Sequence, residues 1–321
     1  MDEKPRNVLI HIGYHKTAST WLQNSLFISD NPVFEPLSDK DKGQSTLAEH
    51  FFSDEEGYYL SPFDDNEATI QAALNRILDE RPALGTKYPV VSHERLTGNP
   101  HSGGFDGKKI AEMLKKIFPD GKVMVVIREQ KSFILSDYFQ YLHIGGTFGL
   151  KKYISPKYDG KLPFFSPHHV NYCNLVKAYH DLFGKDNVLV LPYELFRDDP
   201  SSFVSRIGEF IGSEVTLEED LFKKRANKKS HQSVMYYLRC VNVFRRATSA
   251  NNYSALSNRV TRNIAKLIIK VAGLLAPSFL DNAVTGKLKR QVAEIIGDRY
   301  VESNRELSKL IDIDLSEYGY H

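Results

Sequence analysis

The chain has 321 residues, of which 41% are hydrophobic, 12% aromatic and 26% charged. That excludes a disordered chain or a small disulfide scaffold and suits one large α/β domain or two modest ones. The net charge of +2, from 42 Lys and Arg against 40 Asp and Glu, conceals a segregation along the chain. Twelve Lys and Arg and no Asp or Glu lie between Leu221 and Leu280, whereas Asn31 to Glu67 carries ten acidic residues against Lys40 and Lys42. Such an acid-free run points to an anionic partner: a ligand, a polymer, a membrane surface or the chain's own acidic stretch.

Cys173 and Cys240 form no CxxC pair, and no Cys/His spacing suits zinc, so neither a disulfide framework nor a metal is expected. The opening MDEKPRNVLIHIG lacks the apolar core of a secretory signal. The most apolar stretch, Ile264 to Leu280, is interrupted by Lys266, Lys270 and Pro277, which excludes a spanning helix. A cytoplasmic setting is the expectation.

In chain order, NVLIHI (Asn7 to Ile12) predicts a strand, followed after Gly13 by a helix from about Ser19 to Ile28. Residues 31 to 67 read as an irregular excursion. A helix is predicted from Asn66 to Glu80, a strand at YPVVS (Tyr88 to Ser92), a helix from Asp106 to Phe118 and a strand at KVMVVI (Lys122 to Ile127). The next helix, Glu129 to His143, breaks at Gly145 and Gly146 into an aromatic-rich loop reaching Pro167. A helix from His169 to Phe183, a strand from Asn187 to Leu191 and a helix opened by Pro200 and reaching Ile211 follow. Strands alternating with helices predict an α/β fold, a parallel sheet flanked by helices on both faces. After residue 221 only helices are expected, at Val234 to Arg246, Leu256 to Leu275 and Thr285 to Leu310. The division is a core over 1–220 and a basic helical extension over 221–321 packed on the same domain.

The stretch HIGYHKTASTW (His11 to Trp21) carries the chemistry. A strand ending in Gly13 and entering a helix through Lys16, Thr17, Ser19 and Thr20 presents backbone N–H groups, hydroxyls and an ammonium to an anion. The spacing is G-x-x-K-T, not the longer nucleoside triphosphate loop, and a well-capped helix start is its bland alternative. A second constellation joins it: KVMVVI ends in Arg128, and Ser136 follows two turns into the next helix. Both then sit at the carboxyl edge of the sheet, where ligands bind in open α/β folds.

At this point GYHKTASTW resembles the 5′-phosphosulfate loop of sulfotransferases that use 3′-phosphoadenosine 5′-phosphosulfate (PAPS). IREQKSFILSDYFQY resembles their 3′-phosphate motif, and PYELFRDDPSSFVSRIGEFIG is similar to their late strand and helix. Ala18 stands where Gly is commoner, and Glu129 and Gln130 replace a frequent Asn-Pro. The resemblance, to the bacterial type, implies a P-loop-like sulfotransferase fold, PAPS as cosubstrate, 3′,5′-bisphosphoadenosine (PAP) as product and no metal.

It further implies that Gly13, His15, Lys16, Thr17, Ala18, Ser19 and Thr20 hold the phosphosulfate, with Lys16 also neutralising the leaving oxygen. Arg128 and Ser136 then take the 3′-phosphate. Family members use His or Glu as the base that deprotonates the acceptor hydroxyl, and SHER after the second strand supplies both, Glu94 preferred over His93. In KKRANKKSHQS, the residues Arg225, Asn227, Lys229 and Ser230 are implied to close over the 3′-phosphate, with a solvated basic cluster as the alternative. His11 reads as a core histidine, and Trp21 as core packing before adenine stacking. The expected acceptor is a hydroxyl of a carbohydrate, an anionic polysaccharide or a glycolipid; nucleic acid is not expected, and the basic helices suit peripheral membrane contact. The competing readings are an ATP-dependent phosphotransferase, which needs Mg²⁺ ligands and a Walker lysine spacing that the first loop lacks, and a non-enzymatic binder of anionic polymers.

Overall fold

The computed structural model of the chain describes residues 7–38, 46–51, 67–80, 86–155, 165–215, 232–242 and 278–321, with single positions at 260, 263, 267 and 271. Its centre is a five-stranded sheet built from β1 (Leu9–His11), β2 (Phe34–Pro36), β3 (Tyr88–Ser92), β4 (Lys122–Ile127) and β5 (Val188–Pro192). All four pairings are parallel, in the order β2-β3-β1-β4-β5. Ile10 stands opposite Val91 on one side and Val123 on the other, so β1 is central and its exit loop lies between those of β3 and β4. Backbone bonds from Ile12 N to Met124 O and from Tyr14 N to Val126 O carry the β1–β4 contact past the strand end into that loop.

The near-continuous apolar strands KVMVVI and VLVLP are what a sheet covered on both faces requires. Alternate side chains divide between two cores. Ile10, Ile12, Val91, Val123, Val125 and Ile127 face one layer. It is formed by α2 (Glu67–Glu80), α3 (Gly107–Ile117), α4 (Gln130–His143), α5 (Leu150–Ile154) and α6 (Tyr172–Phe183). Leu9, Val90, Met124, Val126 and Leu191 face the other. That layer holds α1 (Ser19–Trp21), a π-helical turn continuing it over Leu22–Leu26, α7 (Tyr193–Asp198) and α8 (Pro200–Ile211). Helices on both faces of a parallel sheet thus stand as expected.

Among the described residues three further continuous helices follow: α9 (Gln232–Asn242), α10 (Ser278–Ile296) and α11 (Val301–Ile311). Leu288, Val292, Ile296, Tyr300 and Leu307 enter the same core as α4 and α6. Asn242 adds a polar tie, donating from Nδ2 to the carbonyls of Leu142 and Gly146 at 2.8 and 2.7 Å. Among the described residues no helix is long and apolar enough to cross a membrane.

The structure departs from expectation at short elements. The acidic excursion contains β2, an edge strand of three residues with Glu35 and Pro36 in it; proline is tolerated there because an edge leaves N–H groups unpaired. The helix expected over Thr285 to Leu310 is two helices, broken at Gly297 with φ of 53°. The helix expected from Ser19 to Ile28 turns π-helical after Trp21 and ends at Leu26. Most of Leu256 to Leu275, and residues 39–45 and 52–66 of the excursion, lie outside the described residues. Where its acids are described, Glu35 meets Lys87 at 3.7 Å and Glu67 meets Lys116 at 3.6 Å, neither partner belonging to the basic run.

Candidate active site

Four strand exits line one edge of the sheet: residues 12–18 after β1, 93–95 after β3, 128 and 129 after β4, 193 and 194 after β5. The loop after β1 is tightly folded. Lys16 and Ala18 both adopt left-handed backbone, with φ of 64° and 67°. Thr17 is buried and donates its hydroxyl to the carbonyl of Tyr14, closing the turn. That bond commits the Thr17 hydroxyl proton to the loop. Ala18 explains the family's usual glycine: an L-residue in this conformation carries about 1–2 kcal/mol of strain that glycine does not.

Gly13 has a different reason to be glycine. Its φ is ordinary, but a Cβ would fall 2.5 Å from His11 Nε2 and 3.1 Å from Ser19 Oγ. Both atoms are buried and lack a hydrogen-bond partner. A bare imidazole nitrogen, a bare hydroxyl and a loop with no room for a side chain make a cradle for an oxygen-rich group. His11 is otherwise the core histidine expected, its Nδ1 2.8 Å from Ser92 Oγ, and burial followed by charge on His93 lowers its pKa to about 3. Lys16 and Thr20 are exposed at the mouth of the loop.

Arg128, leaving β4, reaches across to this loop: Nη1 donates to the Lys16 carbonyl at 3.2 Å. The Tyr172 hydroxyl fixes the Arg128 carbonyl at 2.7 Å, and the guanidinium lies 5.1 Å from the Tyr193 ring centre. Its Nε is buried and unpartnered. Ser136 is half-buried on α4, two turns on. Glu129 caps that helix, each carboxylate oxygen accepting a backbone N–H, of Lys131 and Ser132, at 2.8 Å. Glu194 holds Glu129 N at 3.2 Å and accepts from the Tyr320 hydroxyl at 2.9 Å. Trp21 packs on Phe196, ring centres 4.8 Å apart, as a core residue does.

After β3, His93 and Glu94 come to the same edge. His93 Nδ1 accepts the Arg95 backbone N–H at 3.1 Å, and burial, then charge on Arg95, brings its pKa to about 4. Glu94 is half-buried, and burial raises its pKa against the lowering influence of its own backbone and of Lys16. Gly13, His15, Lys16, Thr17, Ala18, Ser19, Thr20, His93, Glu94 and Arg128 therefore lie along one edge of the sheet, and Ser136 is on the helix that follows Arg128. Arg225, Asn227, Lys229 and Ser230 lie outside the described residues.

Sequence reasoning missed several residues here. Asp137 is wholly buried next to Ser136; His101 and Tyr153 contact it, and His169 packs on Tyr14 with ring centres 5.1 Å apart. None carries a spacing signal, because each arrives through a separate loop or helix. Tyr153 and Phe165, from the stretch expected as an aromatic-rich loop, stack inward at 4.9 Å and are almost fully buried. Among the described residues no group of three or more His, Cys, Asp or Glu is arranged to hold a metal ion.

The family model of the sulfotransferase domain matches residues 5–268, and the chain belongs to that family. No curated protein matches the sequence. Among solved structures, the chain is similar to a sulfotransferase from Alicyclobacillus acidocaldarius at 17% identity and a TM-score of 0.46, covering 81% of this chain and 100% of that one. It is similar to the sulfotransferase domain of the Synechococcus PCC 7002 olefin synthase at 14% identity and a TM-score of 0.39, covering 83% and 96%. Mouse sulfotransferase SULT7A1, solved in complex with PAP, shares 13% identity at a TM-score of 0.35, covering 91% and 90%. At such distances no residue role carries across from these neighbours.

Proposed function

We propose that the protein transfers a sulfuryl group from PAPS to a hydroxyl of a carbohydrate or of another glycosylated or lipidic acceptor, releasing PAP, in a cytoplasmic setting. The observation that carries this reading is the meeting of Arg128 with the Lys16 carbonyl beside the Gly13 cradle, which gathers an ammonium, a guanidinium and a bare hydroxyl at one strand edge. Two separate anionic groups need two such sites, and PAPS has them, a 3′-phosphate and a 5′-phosphosulfate. In the reaction the acceptor oxygen bonds to sulfur while the bond from sulfur to the bridging oxygen breaks. Lys16 offsets the charge that grows on that oxygen, and Ser19 with the loop amides holds the phosphate. Arg128 offers its planar fork to the 3′-phosphate, with Ser136 beside it.

Glu94 is favoured as the base. His93 spends its Nδ1 lone pair on Arg95 N, so the neutral ring carries its proton on Nε2 and has no lone pair for a hydroxyl proton. The half-buried Glu94 carboxylate, with its pKa raised, is a stronger base than an exposed one. Calorimetry tests the donor assignment: PAP should bind far more tightly than AMP, and Lys16→Ala should abolish the preference for PAPS-derived ligands over adenosine. Equal affinity for PAP and AMP would refute it. For the base, Glu94→Gln should lower kcat by about 10²–10⁴ while PAP binding persists, whereas a kcat unchanged in Glu94→Gln would remove Glu94 from that role.

A further inference from the structure

The loop histidine His15 lies among titratable side chains drawn from separate segments. Burial first, and then charge on His101, Arg95, His169 and His93, holds it well below its ordinary pKa of 6.5. His169 reaches this group under Tyr14, whose hydroxyl donates to the His169 carbonyl at 2.9 Å. Gly104 passes so close that a Cβ there would stand 2.2 Å from His169 Nδ1. Burial, then charge on His101 and Arg95, lowers the His169 pKa to about 3.

His101 has a carboxylate behind it. It sits in the 3₁₀ turn Pro100–Ser102, with Nδ1 3.6 Å from Asp137 Oδ2 and 3.3 Å from the Tyr153 hydroxyl. Tyr153 donates its own proton to Asp137 Oδ2 at 2.5 Å. Nδ1 of His101 therefore faces two acceptors, a carboxylate oxygen and a phenol oxygen whose proton is already committed. Nδ1 therefore carries a proton, and in the neutral ring the lone pair is on Nε2. Among the described residues that Nε2 meets no hydrogen-bond partner, and His101 is partly exposed.

Around it three buried atoms are also bare: Asp137 Oδ1, His15 Nδ1 and His169 Nε2. Asp137 is wholly buried. Buried polar atoms without partners are rare in folded proteins, and several in one cluster of side chains are explained by a polar molecule that completes them.

We propose that this cluster is the acceptor subsite and that it takes an uncharged polyhydroxyl unit, one hydroxyl of which donates to His101 Nε2 next to the hydroxyl that is sulfated. The inference rests on the sulfotransfer reading and names its substrate class. Neutral imidazoles each offer one donor and one acceptor, the same pairing a hydroxyl presents. The Asp137 carboxylate beside His101 disfavours a carboxylate or sulfate at this point, and the Arg95 guanidinium is paired through Nη2 with Asp106 at 3.3 Å. His101 thus acts as a positioning group for the acceptor, oriented by Asp137 and Tyr153, and the proton in flight goes to Glu94.

The test uses the full chain labelled with ¹⁵N-histidine. Long-range proton–nitrogen spectra at pH 7.5, with His101 assigned by His101→Gln, should report the Nδ1–H tautomer. After saturation with PAP, the methyl glycosides of glucose, galactose and mannose are added in turn, and then methyl glucuronide. At least one neutral glycoside should move the His101 Nε2 resonance, and the glucuronide should not. In rate measurements with that glycoside and PAPS, His101→Leu should raise the acceptor KM about tenfold, the worth of one hydrogen bond, while His101→Gln stays within about threefold. The KM for PAPS should hold in both. An Nε2–H or doubly protonated His101, a response to the glucuronide, silence with all three glycosides, or an unchanged acceptor KM in His101→Leu overturns the proposal. Calorimetry with PAP on the same samples keeps the two readings apart: absent PAP binding sinks the sulfotransfer reading, whereas normal PAP binding with any of those results sinks the acceptor subsite alone.

Discussion

Nη1 of Arg128 donates to the carbonyl of Lys16 at 3.2 Å, so the residue expected to hold one phosphate also shapes the loop expected to hold the other. Arg128 substitutions should therefore do two things at once. Arg128→Ala removes a charge-assisted fork from the 3′-phosphate and frees the Lys16 peptide, and PAP affinity should fall about 100-fold or more. AMP, which has no 3′-phosphate, should lose only the part that comes from the loop, about tenfold or less. Arg128→Lys keeps the charge but not two directed bonds, and should fall between. Equal losses for PAP and AMP on calorimetry would mean that Arg128 only braces the loop.

Gly13 and Ala18 make opposite predictions from the same loop. Gly13→Ala puts a Cβ 2.5 Å from His11 Nε2, and overpacking of this kind should cost about 1–3 kcal/mol along with PAP affinity. Ala18→Gly relieves a left-handed alanine worth about 1–2 kcal/mol and adds about 0.4–1 kcal/mol of unfolded-chain entropy. Its urea midpoint should rise or hold. A lower midpoint for Ala18→Gly, or an unchanged one for Gly13→Ala, contradicts the loop geometry.

Buried neutral histidines tie stability to pH. His11 titrates near its ordinary 6.5 when unfolded and at about 3 when folded, so between those values the unfolded chain binds the extra proton. Its contribution is complete above 6.5 and is lost as pH falls toward 3, with a slope of up to about 1.4 kcal/mol per pH unit. His169, at about 3, and His93, at about 4, act in the same direction. Glu94, Asp137 and Glu194, raised by burial, act in the opposite one: their penalty grows as pH rises through their folded pKa. The difference curve between the native chain and His11→Asn cancels the carboxyl contributions and should slope with pH between 6.5 and 5. Parallel stability curves from urea titrations over that range would show that His11 is not held neutral.

Much of the candidate site was legible in the sequence because it sits at strand ends, where apolar runs stop and glycine, lysine or arginine begins. Lys16, Arg128 and Glu94 each follow a run of that kind. The two departures from the family pattern were legible only as departures. Glu129 turns out to cap α4 with both carboxylate oxygens, and Gln130 pairs with Asn304 across 174 positions of chain. His101, Asp137 and Tyr153 were silent for the same reason: their contacts join segments far apart in sequence, and neither period nor spacing records them. The edge strand Phe34–Pro36 was hidden by its own proline and glutamate, which read as loop.

The Gln130–Asn304 pair tests whether the last helices support the site or merely cover it. Gln130 Nε2 donates to Asn304 Oδ1 at 2.6 Å, and Asn304 Nδ2 returns a bond to Gln130 Oε1 at 3.2 Å. Both side chains are buried, and Gln130 opens the helix that carries Ser136. Asn304 lies beyond the stretch matched by the family model, so this contact belongs to the chain's own extension. Gln130→Leu or Asn304→Leu alone strands a buried amide and should cost about 1–3 kcal/mol. The double variant removes both amides together and should recover most of that loss, giving a coupling of about 0.5–3 kcal/mol in a double-mutant cycle. The single variants should also weaken PAP binding, because the first turn of α4 lies between Arg128 and Ser136. Additive losses with PAP affinity untouched would make the extension a cover and nothing more.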